Sequence, residues 1–559
     1  MANLPQGHSL YEGNYWQNRM QGYDGYDLAQ IQELTYDPNV FVKFFRGGVI
    51  TAQYLSGSGK TGYVDLNRAS SEVATTASSG VVAGASGAIS PAGGVSRSSV
   101  MVNKQANNDS IPIMYGLQRM GGTRIFVDAS DGAGNAQTKD AQGNVSNTGY
   151  LNMVLCVAEG EMGDIQELYF NEAKVWDING SGTFASGRNR ELNGRQLQNF
   201  EPPYNSVGGM EIYYYPGTLT QTYCTELTAS IDTWGPDTSV SPTQQPDMTS
   251  IAYLVFKLPS SDVFGGQMPS VTSVLTGKNI YDVSTLTDGA PTGSWTQTSG
   301  ADQNPVDVLY DYLTSPVYGK GLDQSPTQRN AGQDIDLASF QQARIDCDAA
   351  RSSSGLPFNG FLSTNTNMYE NVKKILSMCN GYLLFINGKY HLRIAKKDEH
   401  LNLPDTHIFD KEHILSPITL NLPGKQNKLN KSTGIYGGSG TDWNDDLVVY
   451  NPSSYLTDDN NAVLEDKQEF SLITDEQFVL DMITHNVDYS RNMQTIAFTA
   501  SHKAMQLRAG DIIDVRNSYY GWGDGPGEGL RYWRVMEISY TRGNTVEITA
   551  STYDSSKEL

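Results

Sequence analysis

Asn304-Pro-Val-Asp-Val-Leu-Tyr-Asp-Tyr-Leu-Thr-Ser-Pro-Val-Tyr-Gly319 opens the stretch, 304–396, from which the fold is best read. Asn304 is a helix cap, and Pro305 suits the first helical position, where a missing N–H costs nothing. Val306, Leu309 and Leu313 recur on one face until Ser315-Pro316, since a residue before proline is pushed out of the helical region. A second helix is predicted from Asp336, with Leu337, Phe340, Ala343 and Cys347 along one stripe. A third starts near Asn367, where Glu370 completes a capping box, and carries Met368, Val372, Ile375, Leu376 and Cys379. Gly381 stands where a glycine C-cap is expected. Tyr382–Ile386 and Lys389–Ile394 then flank Asn387-Gly388, the strongest short hairpin signal.

Beyond Lys396 the pattern turns to strands: Asn430–Gly437, Leu447–Tyr450, then Ser471–Tyr489 leading into Thr495–Ala500. Leu507–Val515, Arg531–Ile538 and Thr545–Thr549 follow, with Gly510-Asp511 as the turn before a buried strand. Short strands at even spacing predict a small barrel or sandwich. On the other side, Ile111–Gly116 and Gly121–Val127 read as strand, turn and strand. Leu151–Ala158, the segment holding Ile165, Leu168 and Phe170, Met210–Thr218 and Ile251–Phe256 are strand-like too. Residues 177–210 and 229–250 read as polar loops. Val40–Phe45 and Val49–Leu55 are two short strands about Arg46-Gly47-Gly48. Residues 1–35 read as an extended arm that orders only against a partner, and 69–99, rich in Ser, Ala, Gly and Val, as a flexible linker.

A chain of 559 residues has room for three or four domains with substantial cores. Its 56 glycines and 32 tyrosines, with few long helical periodicities, favour a β-dominated protein. The charge, 39 − 61 = −22, excludes binding nucleic acid by phosphate neutralisation, although an acidic passage would let DNA slide by repelling it. The sequence has no apolar run of about 18 residues to span a bilayer. Met1–Arg19 is polar and lacks the apolar core of an export signal, so folding in a cytoplasm is expected. The four cysteines (Cys156, Cys224, Cys347, Cys379) make no C-x-x-C pair, and Cys347 and Cys379 are expected as reduced core residues.

The 304–319 segment resembles the corresponding stretch of the tail-tip hub proteins of long-tailed bacteriophages. These are the central tail protein, or tip attachment protein J, family, including its gene-transfer-agent relatives. Cys347-Asp348, Asn359-Gly360 and the Ser377–Arg393 hairpin continue the likeness. So do Ile111–Gly122, Glu159–Asn171, Met210–Thr218, Ile251–Pro269 and the Leu507–Val515 strand, which is similar to the family's L-R-P-G-D-V-I-x-V. The resemblance runs over roughly residues 100–555, and residues 1–100 match nothing in the family.

Candidate chemical sites are few. Ser56-Gly-Ser-Gly-Lys60-Thr61 suggests a phosphate loop, but the motif needs glycine at position 54, which is Tyr54, and no apolar helix follows; a glycine-serine turn is the expectation. His391, His400, His407 and His413 lack the spacing of zinc ligands on a shared element and are expected to be surface or structural residues. Asp445-Asp446, Asp458-Asp459 and Glu465-Asp466 supply oxygen ligands for calcium without an EF-hand order. Glycosidase carboxylate pairs are not limited by spacing, whereas nucleophile elbows and matched Cys/His elements are absent. The loop Tyr519-Tyr520-Gly-Trp522-Gly-Asp-Gly-Pro-Gly-Glu-Gly529 suits either a protein contact or packing on its own barrel. No catalytic, cofactor or metal residue is assigned.

The expectation is a β-dominated α+β multidomain protein, with β-barrel or sandwich domains flanking a small helical-plus-hairpin domain. The expected parts are an arm and linker (1–100), a first β domain with loop insertions (101–300), a helix-rich domain ending in a hairpin (301–400) and a second β-barrel-like domain (401–559). What the resemblance implies is a non-enzymatic virion protein: the structural hub of a tail tip or baseplate, assembled in the bacterial cytoplasm. It would be a homotrimer adapting sixfold to threefold symmetry. Its partners would be the distal tail or tail tube protein, the tape measure protein and tail fibre or tip proteins. DNA would pass through its centre without specific binding, and the particle would serve host attachment and genome ejection. The alternative is a tail-associated cell-wall hydrolase or glycan-binding adhesin.

Overall fold

The computed structural model describes residues 40–44, 50–54, 110–131, 149–177, 210–221, 224, 248–259, 268–289, 295–296, 303–323, 331–350, 356–397, 399–422, 424, 428–523, 529, 532–541 and 543–555. Among them strands dominate, with five α-helices set between several sheets. The arm 1–35, the Ser56–Thr61 turn and the linker 69–99 lie outside the described residues. β1 (Val40–Phe44) and β2 (Ile50–Tyr54) are the two expected short strands, paired antiparallel in a sheet of their own.

The strand expected before Gly116 does not end in a simple turn. β3 (Ile113–Tyr115) and β4 (Leu117–Met120) are split by Gly116 at φ +69°, where a Cβ would lie 2.1 Å from Asn359 Oδ1. Only glycine tolerates that kink, which sends β3 to the helical core and β4 into a sandwich. β5 (Thr123–Asp131), β6 (Gly149–Glu159), β7 (Ile165–Phe170), β8 (Ala173–Asp177), β9 (Glu211–Tyr215), β10 (Ile251–Pro259) and β11 (Val271–Thr276) complete it. Its two sheets have strand orders β5-β6-β10-β9 and β4-β11-β7-β8. Met153, Leu155, Leu168, Phe170, Ile212, Leu254, Phe256 and Leu275 fill the space between them. On the opposite face of the first sheet, Val154, Tyr213, Tyr215, Tyr253 and Val255 form a smaller apolar cluster, with Tyr215 stacked on Tyr253 at 4.4 Å. Burial on both faces explains why β6 and β10 read as unbroken apolar runs rather than alternating ones.

A short pair, β12 (Ile280–Tyr281) and β13 (Trp295–Thr296), leads into the helices. α1 (Pro305–Thr314) is capped by Asn304 Oδ1, which accepts from Val306 N at 2.9 Å, and α2 (Leu337–Ala349) by Asp336 Oδ1, from Ser339 N at 2.8 Å. β14 (Gly360–Leu362) pairs with β3. α3 (Met368–Met378) is capped by Asn367, but onto Tyr369 N, one residue earlier than in a capping box; Glu370 sits beside Lys373 at 3.8 Å. The left-handed residue after α3 is Asn380 (φ +51°), not Gly381. Gly381 instead begins β15 (Gly381–Ile386), where a Cβ would press within 3.0 Å of Cys379 Sγ and Leu376 Cδ2. β16 (Lys389–Ile394) closes the hairpin, and positive φ at both Asn387 and Gly388 gives the expected primed turn.

The C-terminal part holds more than strands. β17 (Ile408–Phe409), β18 (Thr419–Asn421), β19 (Lys431–Tyr436), β20 (Asp446–Tyr450), α4 (Ser453–Asp458) and β21 (Glu465–Glu469) precede a 17-residue helix, α5 (Glu476–Asn492). The strand-rich reading of Ser471–Tyr489 is thereby corrected. Asp475 caps α5, and Phe478, Val479, Met482 and Ile483 on one face are fully buried. That face covers the sheet β20-β19-β21, so closely that a Cβ on Gly434 would lie 2.5 Å from Val479. The same side chains belong to the core built by Leu309, Phe340, Ile375 and Leu376. Each such side chain contributes about 1.5–3 kcal/mol when buried. β22 (Thr495–Ala500), β23 (Ile512–Val515), β24 (Tyr532–Thr541) and β25 (Thr545–Thr552) complete the last sheet, in the order β17-β23-β24-β25-β22-β18. This half-barrel wraps Phe409, Ile496, Phe498, Ile513, Trp533 and Ile548.

Candidate assembly surfaces

The four histidines sit in four separate settings. His391 faces Asp336 at 3.7 Å, and His400 lies against the rings of Tyr532 and Tyr553 at 4.8 and 5.7 Å. His407 Nε2 is 3.4 Å from Asp511, and His413 Nδ1 is 2.7 Å from Asp410. The acidic clusters are also dispersed. Asp459 accepts from Arg491 at 2.6 Å and from Asn430 at 2.9 Å, and the bond from Arg491 holds its carboxyl below the ordinary 3.8. Glu465 pairs with Lys431 at 3.0 Å, whereas Asp446 lies opposite Tyr436, at the other end of β19. Among the described residues no group of three or more His, Cys, Asp or Glu is placed to hold a metal ion. All four cysteines are buried free thiols, and burial pushes Cys156 up to about 12.

The aromatic loop divides. Trp522 is buried against Trp533 with ring centroids 5.0 Å apart, and Tyr520 stacks on Trp522 at 4.7 Å, so both anchor the loop to its own half-barrel. Tyr519 is 88% exposed and meets Tyr520 edge to face, with ring centroids 5.2 Å apart. Residues 524–528 lie outside the described set.

Two polar joints, neither legible locally in the sequence, fix the strand-built lobes to the helical core. At the sandwich, Lys278 Nζ meets Asp311 Oδ1 at 2.5 Å, and Tyr115 and Tyr318 each donate to Asp311 Oδ2 at 2.7 Å. Burial alone would lower the Lys278 ammonium, but the charges and hydrogen bonds of Asp311 and Tyr318 together outweigh it and raise it above 10.5. Gln303 Oε1 accepts from Gly116 N at 2.9 Å, tying the kink to the start of α1. At the half-barrel, Glu399 accepts from Arg393 Nη2 at 3.1 Å and from Arg534 Nη1 at 2.8 Å, while Arg393 also pairs with Asp511. Burial would raise Asp511, but the hydrogen bond from His407 and the charge of Arg393 hold it below 3.8. Tyr553 links the same region, donating to Lys396 O at 3.2 Å.

The edges of the three-stranded sheet differ. β21 carries Glu465, Asp466, Lys467 and Glu469, charges that discourage strand pairing. On β20, Leu447 and Val449 are 56% and 50% exposed, and Asp442, Asp445 and Asp446 precede or begin the strand in exposed positions.

These features define a β-dominated scaffold of lobes held in fixed orientation, with surfaces suited to contact. No family model matches the chain. It is 20% identical over 484 residues to the baseplate hub protein pb3 of Escherichia phage T5, covering 79% of this chain and 47% of that protein. The chain thus spans about half the length of the curated relative it matches. Among solved structures it is similar to a protein in the virion of a native gene transfer agent particle, with TM-score 0.50 and 12% identity, over 82% of this chain and 88% of that one. That likeness is one of fold. The resemblance to tail hub proteins read from the sequence is borne out by the likeness to a protein named as a baseplate hub.

Proposed function

We propose that the chain is a hub subunit of a phage tail tip or baseplate. The observation that carries this is the 484-residue likeness to a protein named as a baseplate hub. The arrangement of a sandwich and a half-barrel locked by polar joints to one helical core supports it. In this reading the four parts 1–100, 101–300, 301–400 and 401–559 act together. Three chains close around an axis, and the two strand-built lobes of each offer six modules to a sixfold tube. The distal tail or tube protein lies on one side, and fibres or tip proteins on the other. The centre admits the tape measure protein and then DNA, which the net charge of −22 keeps from sticking. The subunit acts in the virion without catalysis, after assembly in the host cytoplasm.

Light scattering of the purified chain, a tail-tube pull-down and immunogold labelling of particles test this reading. A trimer that co-sediments with tubes and labels the tail tip is expected. A monomer that ignores tubes would overturn it, and clearing of a cell-wall zymogram would favour the hydrolase.

A further inference from the structure

The strand β20 raises a physical question. It pairs with β19 on one side, from Ser432 opposite Tyr450 to Tyr436 opposite Asp446, and it is the outer strand of its sheet. The unpaired N–H and C=O groups of an edge strand invite another chain, and folds usually blunt them. Several other edges show the devices. β21 is charged, β17 and β18 have two and three residues, and β5 is interrupted by a bulge between Arg124 and Phe126. Over Leu447–Val449 β20 carries none of these and, among the described residues, pairs with no strand beyond β19, and it exposes Leu447 and Val449 on the face away from α5. An edge both open and apolar is a binding feature when it is kept.

The same chain holds a pair of strands without a sheet to join. β1 and β2 form a two-stranded sheet alone among the described residues. Two strands by themselves are at best marginally stable in water. Their sequence, Val40-Phe-Val-Lys-Phe44 and Ile50-Thr-Ala-Gln-Tyr54, is apolar and strand-forming. It is also locally basic in an acidic chain: Lys43, Arg46 and Lys60 fall in a stretch with no Asp or Glu between Asp37 and Asp65. Asp442, Asp445 and Asp446 make the start of β20 the complement of that charge.

We propose that the β1–β2 hairpin of one copy adds to the β20 edge of a neighbouring copy, extending the β20-β19-β21 sheet across the subunit boundary. Ladder hydrogen bonds supply the join, Leu447 and Val449 gain apolar cover, and the basic hairpin meets the acidic approach to β20. The occupant is a second copy rather than the same chain, because among the described residues of one chain the hairpin stands as its own sheet. This rests on the ring proposed above.

The test uses the full chain with a photoreactive benzophenone amino acid at position 449, in an equal mixture of isotopically light and heavy protein. The expected product joins light to heavy chains, and its peptides map to residues 40–54. Leu447→Lys with Val449→Lys, both at exposed positions, should raise the concentration for half-dissociation at least tenfold. Val42→Pro, which removes a strand N–H, should do the same. The two changes together should add little, since they break one contact. A parent trimer whose photoproduct maps elsewhere, or joins only residues of one chain, overturns this contact and leaves the ring standing. Unchanged assembly in both variants overturns it equally. A parent that is monomeric at every concentration overturns the ring and this contact with it.

Discussion

Glu399→Gln tests whether charge locks the half-barrel to the hairpin. The Glu399 side chain is 7% exposed and that of Arg534 is 4% exposed, with 2.8 Å between Oε2 and Nη1. Neutralising Glu399 leaves a guanidinium buried beneath Tyr382 and Tyr553, whose ring centroids lie 6.0 and 5.0 Å away. Removing one partner of a buried pair costs about 3–5 kcal/mol, and glutamine, which keeps the volume and an acceptor, places the cost near the lower bound. Arg393 is 33% exposed, so water screens its share and it adds little to this figure. A loss of about 3 kcal/mol is more than a hundredfold rise in opening, at tenfold per 1.4 kcal/mol. Hydrogen exchange of β16 and β24 amides reads local opening, which suits a chain of several domains better than one global melt. A rise below about tenfold would refute the argument. A second arm guards against a trivial fault in folding. Adding Arg534→Met to Glu399→Gln removes the stranded cation, so the double variant should exchange more slowly than Glu399→Gln alone.

Three further outcomes follow from the same geometry. Gly116→Ala should cost at least about 1–2 kcal/mol from its left-handed backbone, plus the clash with Asn359 and Phe358, and should loosen the β3–β14 pairing in hydrogen exchange. Burial pushes the Asp307 carboxyl up to about 6 against the pull of Arg344, so the folded state holds its proton more tightly than the unfolded chain. Its contribution is therefore full below 3.8 and lost as pH rises through about 6, amounting to about 3 kcal/mol over that window at 1.36 kcal/mol per pH unit; Asp307→Asn should flatten the stability profile there. Cys347 is fully buried, and burial raises its thiol well above 9, so iodoacetamide should label it only after unfolding.

The sequence was most legible where the determining physics is local. Asn304-Pro305, Asp336 and Asn387-Gly388 act on backbone groups within three residues, and each does in the structure what its chemistry requires. The helix α5 was also signalled, by the Asp475 cap and by Phe478, Val479, Met482, Ile483 and Val487 on one face. Its Val, Ile, Thr and Phe content masked that stripe among neighbouring strands. β11 was harder. Val271-Thr-Ser-Val-Leu-Thr276 is buried along its length between two neighbouring strands, so it shows neither alternation nor a plain apolar run. The joint at Glu399 lay beyond local reading. Gly510-Asp511 was recognisable as a turn, and Gly510 does adopt φ +87°. Nothing near Asp511 announces Arg393, which lies 118 residues away in sequence.

The chemistry of the two joints bears on why a hub of the kind proposed would have them. Apolar surfaces adhere well but tolerate sliding, because hydrophobic attraction has little direction. A carboxylate gripped by two arginines, or by a lysine and two tyrosines, is satisfied in only a narrow range of angles. Such buried ionic groups add little net stability compared with apolar packing of the same volume, so orientation is the more economical reason for their presence. In the proposed ring, a small error in the angle between sandwich and half-barrel would be repeated in every copy and would misplace the modules against the tube. Polar joints at Asp311 and Glu399 hold that angle, while the large apolar core of α1, α2, α3 and α5 supplies the stability that the joints do not.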